Sequence, residues 1–228
     1  MVLEGSSEAL TKAVHPVLAA SRDGGQTRLV VDLEELSAQW SARWPQCRPV
    51  GHELRESAPD RWVRFHSLEE SKRYPSDADD MAELLHRHNS TVADLVALDS
   101  NASAVDADLV VVTCSWSGSA QVTARDQAVT AVDPDAQHWR SVSLGDDDFE
   151  SWIHLWVSDC KWAHSSLDAL FALVANDWTS DVIVCDQRCN WLYHPYDGGA
   201  DVLAPSEAVR DSLAQRHRSW LSGRPDGL

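Results

Sequence analysis

Several things are scarce in this 228-residue sequence, and each absence narrows its function. No apolar run approaches the roughly 20 residues that cross a bilayer. The N-terminus lacks the basic start and apolar core of a secretory signal, so the expected compartment is the cytoplasm. Lysine is nearly missing, with three against sixteen arginines, and the 36 acidic residues outweigh both to leave a formal charge of −17. That balance argues against unaided nucleic-acid binding, which needs cations to displace counterions, and against docking on anionic lipid. It fits either a solubilising surface or attraction to a basic protein partner. The five cysteines are odd in number and scattered, so reduced thiols are expected. Cys185 and Cys189 are spaced more widely than a zinc knuckle and no second pair follows, so no metal and no cofactor are expected. No Gly-x-Ser-x-Gly elbow, phosphate-binding loop, dinucleotide fingerprint or His-Glu-x-x-His occurs.

The hydrophobic share of 43% and the charged share of 24% belong to a globular chain, long enough to bury one core. Asp32 to Trp44 reads as a helix, with Asp32 as cap, Glu35 three residues on, and Leu33, Leu36, Trp40 and Trp44 on one face. Ser76 to Leu98 is the longest predicted helix, capped by Ser76, with His88 inside its apolar stripe as a core histidine. Leu167–Asn176, capped by Ser165 or Ser166, and Ser206–Leu221 are two more helices. Strands are expected at Val50–Leu54, Arg61–His66, Leu109–Thr113, Gln121–Thr123, His138–Leu144 and Trp152–Val157. A short helix about Leu10–Leu18 and a strand at Thr27–Val31 precede them. The irregular order favours α+β: a mainly antiparallel sheet with about four helices packed against it. Residues 1–228 form one domain, with 1–45 as a possible appended N-terminal layer.

The densest structural signal lies at residues 181–204. Val182–Cys185, Trp191–Tyr196 and Ala200–Ala204 read as strands, the last two joined by Asp197-Gly198-Gly199, whose glycines tolerate positive φ. His194, Asp197 and Asp201 crowd this reversal and can bind a divalent cation or serve as acid and base, although Asp before Gly-Gly is also ordinary turn chemistry. In Arg61–His66, alternation places Val63 and Phe65 on one face and Trp62, Arg64 and His66 on the other. With Lys72 and Arg73 these form a local basic cluster suited to an anion or to surface ion pairs. Trp152, His154 and Trp156 share a second strand face. If the two strands adjoin, they make one aromatic and basic surface.

The stretches Arg61-Trp-Val-Arg-Phe-His-Ser-Leu68 with Ser71-Lys-Arg-Tyr74, and Trp191-Leu-Tyr-His-Pro-Tyr-Asp-Gly-Gly-Ala-Asp-Val202, resemble an uncharacterised family of bacterial proteins known as a domain of unknown function. The likeness covers roughly the last three-quarters of the chain. It implies a small α+β protein and carries no catalytic residues. The leading expectation is a non-enzymatic binding protein, of the accessory or immunity kind, for a basic partner. The rival is a small-molecule enzyme or ligand-binding domain in which Arg64, His66, His194, Asp197 and Asp201 converge on a pocket for a small anionic ligand.

Overall fold

Strong alternation at Trp62–His66, where only Val63 and Phe65 are buried, makes this segment a strand (β1) at the edge of a sheet. The structure, a computed structural model, describes residues 31–98, 107–145 and 150–224. The other strands are β2 (Asp108–Ser117), β3 (Gln137–Ser143), β4 (Trp152–Lys161), β5 (Ile183–Asp186), β6 (Leu192–Tyr196) and β7 (Gly199–Leu203). They form one seven-stranded sheet in the order β1-β7-β6-β5-β2-β4-β3. Every neighbouring pair is antiparallel.

Among the described residues, six α-helices accompany the sheet: α1 (Leu33–Arg43), α2 (Leu54–Ser57), α3 (Ala78–Val96), α4 (Gln127–Val132), α5 (Asp168–Ala175) and α6 (Glu207–Arg216). Asp32 caps α1 by accepting the Glu34 and Glu35 N–H groups at 3.0 Å. Leu36 and Trp40 of α1, with Trp44, Val50 and Leu54, cover one sheet face through Val110, Val112, Ile153, Leu155, Ile183 and Leu192. Val92 and Leu95 of α3, Phe171 and Val174 of α5 and Leu213 of α6 cover the other through Val63, Val111, Val184, Tyr193 and Val202. Interior strands therefore bury side chains on both faces, which is why β2 is apolar in a continuous run from Leu109 to Val112 and β5 from Ile183 to Cys185 while β1 alternates.

The α+β class holds, with corrections. Val50–Leu54 is not an edge strand: a 3₁₀ turn at Gly51–Glu53 runs into α2. Gln121–Thr123 is not a strand, and α4 forms just beyond it, capped by Asp126. Asp77 rather than Ser76 caps α3, and Leu167 precedes α5 without a side-chain cap. Pro195 lies in an interior strand. The β5–β6 ladder covers only Val184–Tyr193 and Cys185–Leu192, so the missing N–H of Pro195 falls beyond it. Gly198 and Gly199 do not occupy the left-handed region. Gly199 is needed for room, because a Cβ there would sit 2.1 Å from the Phe65 carbonyl oxygen. The expected Leu10–Leu18 helix and residues 27–30 of the Thr27–Val31 strand lie outside the described residues.

Candidate functional site

On the sheet face under α1 and α2, β1, β7 and β6 place three polar side chains in one row. Arg64 pairs in register with Asp201, and Asp201 with His194. His66 ends β1 on the same face, and Gly51–Glu53 with α2 forms the opposite wall. Ser71, Arg73, Tyr196, Asp197 and Gly198 complete a cleft of about 650 Å³, with His52, Glu53, Arg55 and Glu56 on the other side. Arg64, His66, Arg73, His194, Asp197 and Asp201 thus line one space, although they come from two segments more than a hundred residues apart.

Arg64 grips Asp201 bidentately, Nε to Oδ1 at 2.7 Å and Nη2 to Oδ2 at 2.8 Å. Its guanidinium lies 4.7 Å from the Tyr196 ring centroid. Burial pushes the Tyr196 hydroxyl up to about 12, so it stays protonated. Arg73 and Tyr74 both donate to Asp197 Oδ2, at 2.5 and 2.9 Å, which ties the loop after β1 to the β6–β7 turn. His194 is buried, and its Nδ1 lies 2.8 Å from the Val182 carbonyl. A carbonyl only accepts, so Nδ1 carries the proton and Nε2 the lone pair. Burial lowers the His194 pKa against the opposing pull of Asp181 and Asp201. Burial and the neighbouring Arg64 also lower His66, whose Nε2 is buried without a hydrogen-bond partner.

The strongest feature of the other wall is a pair absent from the expected set. Asp181, only 5% exposed and at φ 55°, accepts at one oxygen from the His52 backbone N–H at 3.0 Å and meets His52 Nδ1 at 2.7 Å. Ser180 donates to its second oxygen at 3.1 Å. The Asp181 hydrogen bond raises the His52 pKa. Burial alone would raise Asp181, but the two bonds from His52 hold it below its ordinary value. Gly51 permits the close approach: a Cβ there would lie 2.4 Å from His194 Cε1 and 2.9 Å from the Asp181 backbone.

Other expected residues lie elsewhere. Lys72 reaches Asp80 and Ser76 at the start of α3. Arg61 stacks on Trp44, so the basic cluster of residues 61–73 does not act as one. Trp62 packs against the core under α1, with its Nε1 unpartnered. Trp152, His154 and Trp156 do not adjoin the β1 face. Four strands separate β4 from β1. The faces are also opposite: Ile153 and Leu155 point into the core under α1, which turns His154 away from it, whereas Val63 and Phe65 point into the α3 core and turn Arg64 towards the cleft. His154 is fully buried between Ser117 and Ser141 at 2.8 and 2.7 Å. The core histidine in α3 matches its expectation, with His88 between Ser67 and the Tyr193 hydroxyl and stacked 4.9 Å from Phe171.

Neither His52 nor Asp181 carries a local signal in the sequence. His52 sits in a stretch that reads as a strand, and Asp181 precedes an apolar strand as an ordinary loop residue. Among the described residues, no cluster of three or more His, Cys, Asp or Glu side chains is arranged to hold a metal. No helix there is long and apolar enough to cross a membrane. Comparison with curated proteins and with solved structures finds no match. A family model described as a domain of unknown function, DUF3885, matches residues 50–225, a span holding both the β1 and the β6–β7 sides of the cleft, and the chain belongs to that family.

Proposed function

We propose that this protein binds a small organic oxyanion in the cleft between the β1–β7–β6 end of the sheet and the Gly51–Ser57 wall. The observation that supports this most directly is His66. Its Nε2 is buried and unpartnered in a cleft that also holds Arg64 and Arg73. Buried polar groups without partners are uncommon, and an anion beside the His66 ring would favour its protonated form. Arg64 is already oriented by Asp201, so ordering it on binding costs little side-chain entropy.

Titration calorimetry with dimethyl phosphate, singly charged throughout the histidine range, tests the reading. Binding is expected to tighten as pH falls, because His66 is depressed in the free protein and takes up a proton with the anion. Arg64→Met should abolish binding. Pale or absent heats at every pH with correctly folded protein overturn the proposal.

A second reading is favoured by a separate cleft of about 410 Å³, where exposed Trp116 and Trp178 stand beside Asp126 and Asp177. Aromatic faces next to carboxylates suit the lysine or arginine side chains of a basic protein partner. Co-purification of such a partner, lost in a Trp116→Ala/Trp178→Ala variant, would support it. A partner retained by that variant would argue against it.

A further inference from the structure

We infer that the same cleft is catalytic, with His52 and His194 as an acid–base pair that hydrolyses a small phosphodiester. This rests on the anion-binding reading above and goes beyond it to a reaction.

The geometry gives the two imidazoles different anchors and leaves the second nitrogen of each available. His52 Nδ1 is fixed by the buried Asp181 carboxylate, which also holds the His52 backbone N–H. Its side chain is 55% exposed, so Nε2 reaches the cleft as a donor when the ring is charged. His194 Nδ1 is fixed by a carbonyl, so the neutral ring presents a lone pair at Nε2. A base and an acid set apart by their surroundings is the arrangement that two-step proton transfer requires. A purely structural tie between the Gly51 turn and β5 would not need an accessible imidazole, nor a non-glycine residue at φ 55° carrying the carboxylate.

Charge selects the substrate class. Arg55, Arg64, Arg73 and a protonated His52 face Glu53, Glu56, Asp197 and Asp201, so the cleft is close to neutral. A singly charged diester suits it better than a doubly charged monoester. A diester also needs an acid for its alkoxide leaving group, and water is the only other reactant. His194 Nε2 takes a proton from water as the water oxygen attacks phosphorus. The P–O bond to the leaving group breaks, and its oxygen takes the proton from His52 Nε2. The products are a phosphomonoester and an alcohol. His194 leaves the step protonated and His52 neutral, and proton exchange with solvent restores both. Arg64 and Tyr196 stand beside the phosphoryl oxygens, and Asp181 is the positioning residue.

The test is hydrolysis of bis(p-nitrophenyl) phosphate by the whole chain. A bell-shaped pH profile is expected. His52 is faced by Asp181, Glu53 and Arg48, and the alkaline limb should follow its deprotonation. His194 is faced by Asp181, Asp201 and His52, and the acid limb should follow its protonation. His52→Gln and His194→Gln should each lower kcat by about 100-fold or more, and each should erase its own limb. Asp181→Asn should move the alkaline limb to lower pH. His52 is exposed enough that His52→Gln folds, so the proposal does not depend on variants at buried positions. Dimethyl phosphate binding without turnover overturns the catalytic inference alone. Turnover with an unchanged profile in His52→Gln also overturns it. Loss of binding itself overturns the reading on which it rests.

Discussion

Two strands of this sheet carry nearly the same pattern and meet opposite fates. Trp62-Val-Arg-Phe-His66 in β1 and Trp152-Ile-His-Leu-Trp156 in β4 both alternate large aromatic or basic residues with apolar ones. In β4 the histidine is fully buried and saturated by serines from both neighbouring strands, Ser117 of β2 and Ser141 of β3. In β1 the histidine faces a cleft with one nitrogen unpartnered. Neighbour number makes the difference. β4 lies between two strands that supply hydroxyls, Ser141 directly opposite His154 and Ser117 two residues along β2 from its register partner, whereas β1 is an edge strand with β7 alone beside it. An imidazole in the interior of a sheet becomes part of the hydrogen-bond framework. At an edge under a loop it remains available for chemistry.

The contrast is sharpened first by truncating each histidine. His154→Ala should cost about 3 kcal/mol, since it opens a void and leaves the Ser117 and Ser141 hydroxyls without their partner, and urea unfolding measures it. The second test uses pH. His88, wholly enclosed beside Phe171 and Tyr193, is pushed down to about 3 by burial. The native state stays neutral there while the unfolded chain takes up a proton below its ordinary value. Stability is therefore intact above about pH 6.5 and falls by about 1.4 kcal/mol per pH unit below it. Urea midpoints between pH 7 and 5 should fall at least this steeply, since His194 and His66 are depressed as well, and His88→Gln should remove about 1.4 kcal/mol per pH unit of the slope. The smallest effect is expected at the cleft: His66→Ala should change stability by less than about 1 kcal/mol, because it removes one unpartnered nitrogen and a single hydrogen bond to the Gly198 backbone. A His66→Ala variant as damaged as His154→Ala would erase the distinction between the two ends of the sheet.

Much of this was legible in order along the chain. The capped helix after Asp32, the helix carrying His88 and the split of β1 into Val63/Phe65 and Arg64/His66 follow from local periodicity, and all form as their spacing dictates. The apolar ends of Val50–Leu54 suggest a strand. In the fold Val50 and Leu54 anchor a 3₁₀ turn to the α1 core, and Gly51 lets that turn press against His194. His194, Asp197 and Asp201 were visible as a cluster because they lie within one hairpin. His52 and Asp181, 129 residues apart, were not, because a two-residue contact across that separation leaves no periodic trace.

By itself, then, the sequence determined what each segment is and which side chains share a face of it, since helix and strand periods are properties of a few consecutive backbone units. Only the tertiary structure decided which faces look the same way. It set β1 and β4 at distant positions with their histidines on opposite sides of the sheet, and it brought the Gly51 turn over Arg64, Asp201 and His194. Strand order and the path of a loop are fixed by the burial of a shared core, to which Leu54, Ile183 and Leu192 contribute together, and no single segment contains that information.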